Sequence, residues 1–75
     1  MRSLASEFVI GRRDAFGGRD IRYKGRAFRE RKTGRKYALY DPERLFDRDE
    51  PIAVFDHQLE VLHRIRDMVE REASR

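Results

Sequence analysis

Asp20-Ile21-Arg22-Tyr23-Lys24-Gly25-Arg26-Ala27-Phe28-Arg29-Glu30-Arg31-Lys32-Thr33-Gly34-Arg35-Lys36-Tyr37-Ala38-Leu39-Tyr40 decides the fold class, because it alternates as strands do and breaks as turns do. Ile21 and Tyr23 fall on one side of an extended chain, Arg22 and Lys24 on the other, the period-two pattern of a half-covered sheet. Lys32-Thr33-Gly34 supplies turn chemistry, and residues 35–40 return as the partner strand. With Arg31 opposite Lys36, Glu30 faces Tyr37 and Phe28 faces Leu39. Phe28, Tyr37 and Leu39 then share one face, while Arg29, Arg31, Lys36 and Tyr40 share the other. A slip of one residue would turn the apolar set outward, so this register is the expected one. Gly25, inside the run 20–31, reads as a bulge that returns Ile21 and Tyr23 to the Phe28 face.

Beyond the hairpin, Asp41-Pro42-Glu43 carries a helix-start signature, with Asp as cap and Pro in the first turn. One or two helical turns are expected over residues 41–46, with Leu45 and Phe46 inward. Pro51 then opens the main helix, expected over residues 52–72, where Phe55, Leu59, Leu62, Ile65 and Val69 recur at helical spacing. Val54, Val61 and Met68 widen that arc. On the N-terminal side, residues 7–10 read as a short edge strand ended by Gly11. Residues 12–19 read as a connector punctuated by Gly17-Gly18, with Phe16 tucked back onto the core. The expected fold is α+β: a small two- or three-stranded antiparallel sheet packed on a C-terminal amphipathic helix, with a short helical turn before it. At 75 residues the chain is one domain, its basic β part at about residues 6–40 and its acidic helical part at about residues 41–72.

Charge is divided between the halves. Residues 1–36 hold 12 Lys/Arg against 4 Asp/Glu, and residues 37–75 hold 6 against 10, a net of +8 and of −4. Such a division points to a polyanion partner for the basic half. Two plainer accounts compete. Arg supplies 15 of the 18 basic residues, as a GC-rich genome would write them, and the halves could complement each other within the fold. The absence of cysteine excludes disulfides and thiolate metal sites. No apolar run suits a signal peptide or a membrane span, so a cytoplasmic location and no membrane partner are expected.

No constellation points to catalysis. Ser3, Ser6 and Ser74 lie near the termini and Thr33 lies in a turn, none beside an oriented base. His57, Glu60 and His63 are spaced three apart on the expected helix, too far along its axis for all three to share one ion. No metal, cofactor or small-molecule substrate is expected, and the chain is not expected to be an enzyme. The basic hairpin is the candidate site: Arg22, Lys24, Arg29, Arg31 and Lys36 outward, Lys32 and Arg35 at the turn, and Tyr40 beside them to stack on bases. Arg31 directly opposite Lys36 would be repulsive without an anion between them.

The run Gly25-Arg26-Ala27-Phe28-Arg29-Glu30-Arg31-Lys32-Thr33-Gly34-Arg35-Lys36-Tyr37, with a helix after it, resembles the small arm-site-binding domain at the N-terminus of phage integrases. The resemblance covers about half the chain and departs from that pattern in the acidic segment 41–50. It implies a three-stranded sheet in the DNA major groove, backed by the helix. The expected function is non-catalytic nucleic-acid binding, DNA or RNA, with phosphates held by the hairpin. The alternative is a protein-interaction module that docks a partner or a second copy through Phe55, Leu59, Val61, Leu62, Ile65 and Val69.

Overall fold

The computed structural model describes residues 7–43 and 50–74. They form five strands and one helix: β1 Phe8–Ile10, β2 Gly18–Tyr23, β3 Arg26–Thr33, β4 Lys36–Tyr40, β5 Ala53–Phe55 and α1 Gln58–Ala73. The strands make one antiparallel meander in the order β1-β2-β3-β4-β5. The class is α+β as expected, but the sheet has five strands rather than two or three. The helical turn expected over residues 41–46 lies mostly outside the described residues. What is described of it is a turn in which the Asp41 carboxylate accepts the Glu43 N–H at 3.1 Å.

Gly25 is not a bulge. The run 20–31 is interrupted by a tight turn at Lys24-Gly25, with φ of 49° and 83°, so β2 and β3 pair as a hairpin with Ile21 opposite Phe28. Positive φ at both central residues is the type I′ pattern, whose twist matches that of the strands it joins. Ile21 and Tyr23 therefore do share the Phe28 face, by a turn instead of a bulge. The β3–β4 turn is also tighter than expected. Gly34-Arg35 alone forms it, Gly34 at φ 60°, so Thr33 pairs with Lys36, Lys32 with Tyr37 and Arg31 with Ala38. The register is shifted by two from the expected one. Because side chains alternate with period two, that shift leaves every residue on its expected face.

Ala53-Val54-Phe55 was expected as helix and is strand β5, pairing with Leu39, Ala38 and Tyr37 of β4. The β4 edge offers unpaired backbone groups, and Ile52 N–H begins closing them by donating to Leu39 O at 2.7 Å. β-Branched and aromatic residues suit that role better than a frayed first helical turn. α1 starts at Gln58, preceded by His57 in extended conformation.

The core lies between the helix and one sheet face. Phe8, Ile21, Tyr23, Phe28 and Leu39 from the strands meet Val61, Leu62, Ile65 and Val69 from α1. At about 100° per residue these four helix positions fall within an arc of about 100°. Leu59 falls about 60° beyond that arc and is 55% exposed, against the expectation that it would be core. Each fully buried apolar side chain contributes roughly 1.5–3 kcal/mol. Ion pairs fasten the helix at its far end, where Arg26 binds Asp41, Glu43 and Glu72. Tyr23 Oη donates to Glu70 at 3.2 Å. Burial is the main cause that pushes the Tyr23 phenol above its usual range.

Candidate nucleic-acid interface

Since α1 covers one face of the sheet, strand alternation puts the complementary residues on the other: Asp20 and Arg22 on β2, Ala27, Arg29 and Arg31 on β3, and Ala38 and Tyr40 on β4. Val9 on β1 and Val54 on β5 flank them, both mostly exposed. Among the described residues no element lies over this outer face. Arg29 stands at its centre, cross-strand from Asp20 on one side and Tyr40 on the other.

The β1–β2 loop folds against the same face. It is not the plain connector that its glycines suggested. Asp14 organises it: its carboxylate accepts the N–H groups of Phe16 and Gly18, each at 2.9 Å. Its own N–H donates to Gly18 O at 2.7 Å, and Gly17 N–H donates to Asp14 O at 3.1 Å. The Gly18 N–H is the largest cause holding the Asp14 carboxyl below its usual range, followed by Phe16 N–H and Arg29. Gly17 occupies φ 83°, and a Cβ there would lie 2.7 Å from Lys32 O. That close approach lets Lys32 N–H donate to Gly17 O at 2.9 Å, which fastens the loop to β3. The tip, Phe16, is 79% exposed and does not pack on the core as expected.

A buried charge cluster supports this loop from the helix side. Glu30 is 0% exposed and accepts from Arg13 Nη2 at 2.5 Å and Arg19 Nη2 at 2.9 Å. Arg13 also donates through Nη1 to Gly17 O. Gln58, at the start of α1, accepts from Arg19 at 3.0 Å when its amide oxygen faces that guanidinium.

The expected site residues are only partly gathered. Arg22, Arg29, Arg31 and Tyr40 share the outer face, as alternation required. Arg29 donates to Asp20 at 2.9 Å and to Asp14 at 2.5 Å, and the Asp20 bond is the first cause that raises its guanidinium pKa. Arg31 Nε donates to Phe16 O at 3.2 Å, and its two Nη groups have no partner among the described residues. Arg22 makes no ion pair among the described residues. Lys36 is paired with Asp56, whose carboxyl it holds below the usual range. The expected repulsion between Arg31 and Lys36 is absent, because Arg31 faces Ala38. Lys32 is on the helix-side face, its ammonium 5.8 Å from the Tyr37 ring centroid. Lys24 and Arg35 sit in the turns at opposite ends of the eight-residue β3, about 26 Å apart.

Of the helix residues expected to dock a partner, Val61, Leu62, Ile65 and Val69 are buried on the chain's own sheet and Phe55 lies on β5. His57 precedes the helix that was to carry it with Glu60 and His63. Among the described residues no three His, Asp or Glu side chains are grouped to hold a metal ion, and no helix is long and apolar enough to cross a membrane. The residues missed in the sequence are Asp14, Phe16 and Gly18. The signal available for them was an Asp four positions before a glycine that follows another, a spacing that suits a side-chain-capped turn. In comparisons with known proteins, no family model, no curated protein and no solved structure matches the chain.

Proposed function

We propose that this chain is a small non-catalytic nucleic-acid-binding domain of the cytoplasm that holds phosphates on the outer face of β2, β3 and β4. The observation that carries the reading is the placement of Arg22, Arg29, Arg31 and Tyr40 on one sheet face while the helix is confined to the other. A strand face fixes these side chains on a backbone held by ladder bonds on both sides. Phosphate is the anion best matched to such arginines, since the guanidinium fork binds two of its oxygens at once. Asp14 and Asp20 hold Arg29 extended along the sheet, so that it meets a ligand already oriented. They also offset its charge, so the free cations on the face are Arg22 and Arg31 and the footprint is about two phosphates rather than the whole basic half.

The test is a binding titration against salt. About two phosphate contacts give a log–log slope of roughly −1.4 to −1.8. Arg22→Ala together with Arg31→Ala removes two cations that make no ion pair among the described residues, so the fold is retained while affinity and slope both fall. If wild type does not bind at about 50 mM salt, or the double variant binds like wild type, the reading is wrong.

A further inference from the structure

We infer that the ligand of this face is a single strand, and that Phe16 is the platform on which one of its unpaired bases stacks. The inference rests on the reading just given and names the form of nucleic acid it takes. Phenylalanine is among the side chains most often buried, yet Phe16 is 79% exposed at the tip of a turn held on both sides by Asp14. The turn is also tied to β3 through Gly17 and Lys32. The backbone thus fixes an apolar ring outward.

Its surroundings select the occupant. Phe16, Asp14, Gly18, Arg29 and Arg31 line a shallow depression of about 400 Å³. Gly18 forms part of it, because a Cβ there would lie 2.7 Å from Arg29 Nη2. A base on the Phe16 ring would put its adjacent phosphate within the reach of Arg31, which already touches the Phe16 carbonyl. Stacking of this kind tolerates any base, because every base has a π face. An apolar protein surface would bury the same arginines without supplying an anion, which is costly, and a second copy of this face would bring only Asp14 and Asp20, both already bound to Arg29. A duplex fits poorly for a geometric reason. Its bases are stacked on one another inside the double helix, so it offers the Phe16 ring no free face. A single strand can lie across the face.

The experiment measures fluorescence anisotropy of the full chain with a labelled twelve-nucleotide oligothymidine, its uridine counterpart and a twelve-base-pair duplex, for wild type, Phe16→Ala and Phe16→Tyr. Both single strands are expected to bind at least tenfold tighter than the duplex. Phe16→Ala should weaken single-strand binding by roughly 5- to 150-fold and leave duplex binding unchanged, and Phe16→Tyr should restore it. Circular dichroism checks that the alanine variant is folded, as its exposure predicts. Duplex binding as tight as single-strand binding, or a Phe16→Ala variant with undiminished affinity, overturns the inference while the phosphate reading stands. Absence of binding to all three probes overturns both. Self-association in sedimentation that Phe16→Ala abolishes would assign the ring to a second copy, and that too overturns it.

Discussion

Glu30→Ala is the substitution that most directly tests how the outer face is held in place. Glu30 is wholly buried in the row Arg19–Glu30–Leu39 across three strands, and its carboxylate is shared by Arg13 and Arg19. Removing one member of a buried ion pair costs about 3–5 kcal/mol, because the charge left behind is neither solvated nor paired. Here two cations are left. The Arg13 side chain is 27% exposed and can turn toward water, whereas that of Arg19 is 11% exposed. Arg19 Nε is already buried without a partner. Because Arg13 can reach water and Arg19 keeps the Gln58 amide oxygen as an acceptor, the cost should sit near the lower end of that range, at about 3 kcal/mol. A 75-residue domain has roughly 4–11 kcal/mol in total, so the substitution removes between about a quarter and about three quarters of it.

The assay is urea denaturation followed by far-ultraviolet circular dichroism, with the free energy extrapolated to water. Glu30→Leu combined with Arg19→Met should be less destabilising than Glu30→Ala, since it removes the more buried arginine with its carboxylate and leaves only Arg13, which can turn toward water. A Glu30→Ala variant within 1 kcal/mol of wild type, an effect ordinary at exposed sites, would refute the view that this carboxylate neutralises buried arginines. Because Arg13 also holds Gly17 O, the same variant should loosen the Phe16 turn. That loss would register as faster amide exchange at Gly17 and Gly18 under native conditions.

Gly17→Ala and Gly25→Ala should separate strain from crowding in thermal denaturation. Both sites have φ near +83°, but only at Gly17 does a Cβ meet a backbone oxygen, so Gly25→Ala should cost roughly 1–2 kcal/mol and Gly17→Ala roughly 2–5 kcal/mol. The Phe16 and Gly18 amide resonances should titrate together as Asp14 is protonated. Its folded pKa is depressed, so the turn is fully held above the ordinary carboxylate value of about 3.9 and released as pH falls through a lower one; a shared midpoint at or above 3.9 would contradict the geometry. Ile65→Ala should cost about 2–5 kcal/mol and Leu59→Ala less than about 0.5 kcal/mol, and similar losses at both would mean that the helix presents a different face to the sheet. Arg26→Lys should destabilise by about 1–3 kcal/mol, because one ammonium cannot reproduce the fork on Asp41 and Glu72; Arg22→Lys should be neutral in the same melt.

The faces of the hairpin were legible in the sequence because parity carries them. Phe28, Tyr37 and Leu39 must lie together in any register shifted by an even number of residues, so the two-residue error at Thr33–Lys36 left the sorting intact. It did invalidate the one energetic argument that depended on a specific pair, Arg31 against Lys36. The apolar face of α1 was legible for the same reason at period 3.6. β5 was not. Ala53-Val54-Phe55 fits either period over three residues, and what decides is the open edge of β4, a partner distant in sequence. Glu30 could be placed on the core face by alternation, but its two arginines reach it through tertiary contact. Phe16 was misplaced because a side chain's type gives its usual location, while its actual exposure follows from the Asp14 turn.

The charge division between the halves has three separate sources, and only one of them is free for a ligand. Arg26 and Lys36 are compensated across the halves by Asp41, Glu43, Glu72 and Asp56, as a fold that neutralises itself would require. Arg13 and Arg19 are compensated within the basic half by a buried carboxylate. Genome-wide preference for arginine does not account for Arg26, whose planar fork meets Asp41 and Glu72 through separate nitrogens as one ammonium could not. What remains among the described residues 7–36 is Arg12, Arg22, Lys24, Arg31, Lys32 and Arg35, none in an ion pair. Arg22 and Arg31 lie on the outer face on either side of Arg29, which Asp14 and Asp20 fix in place. The two carboxylates at that face, Asp14 and Asp20, are both taken by Arg29, and among the described residues no other group supplies Arg22 and Arg31 with an anion. A ligand that brings its own anions does.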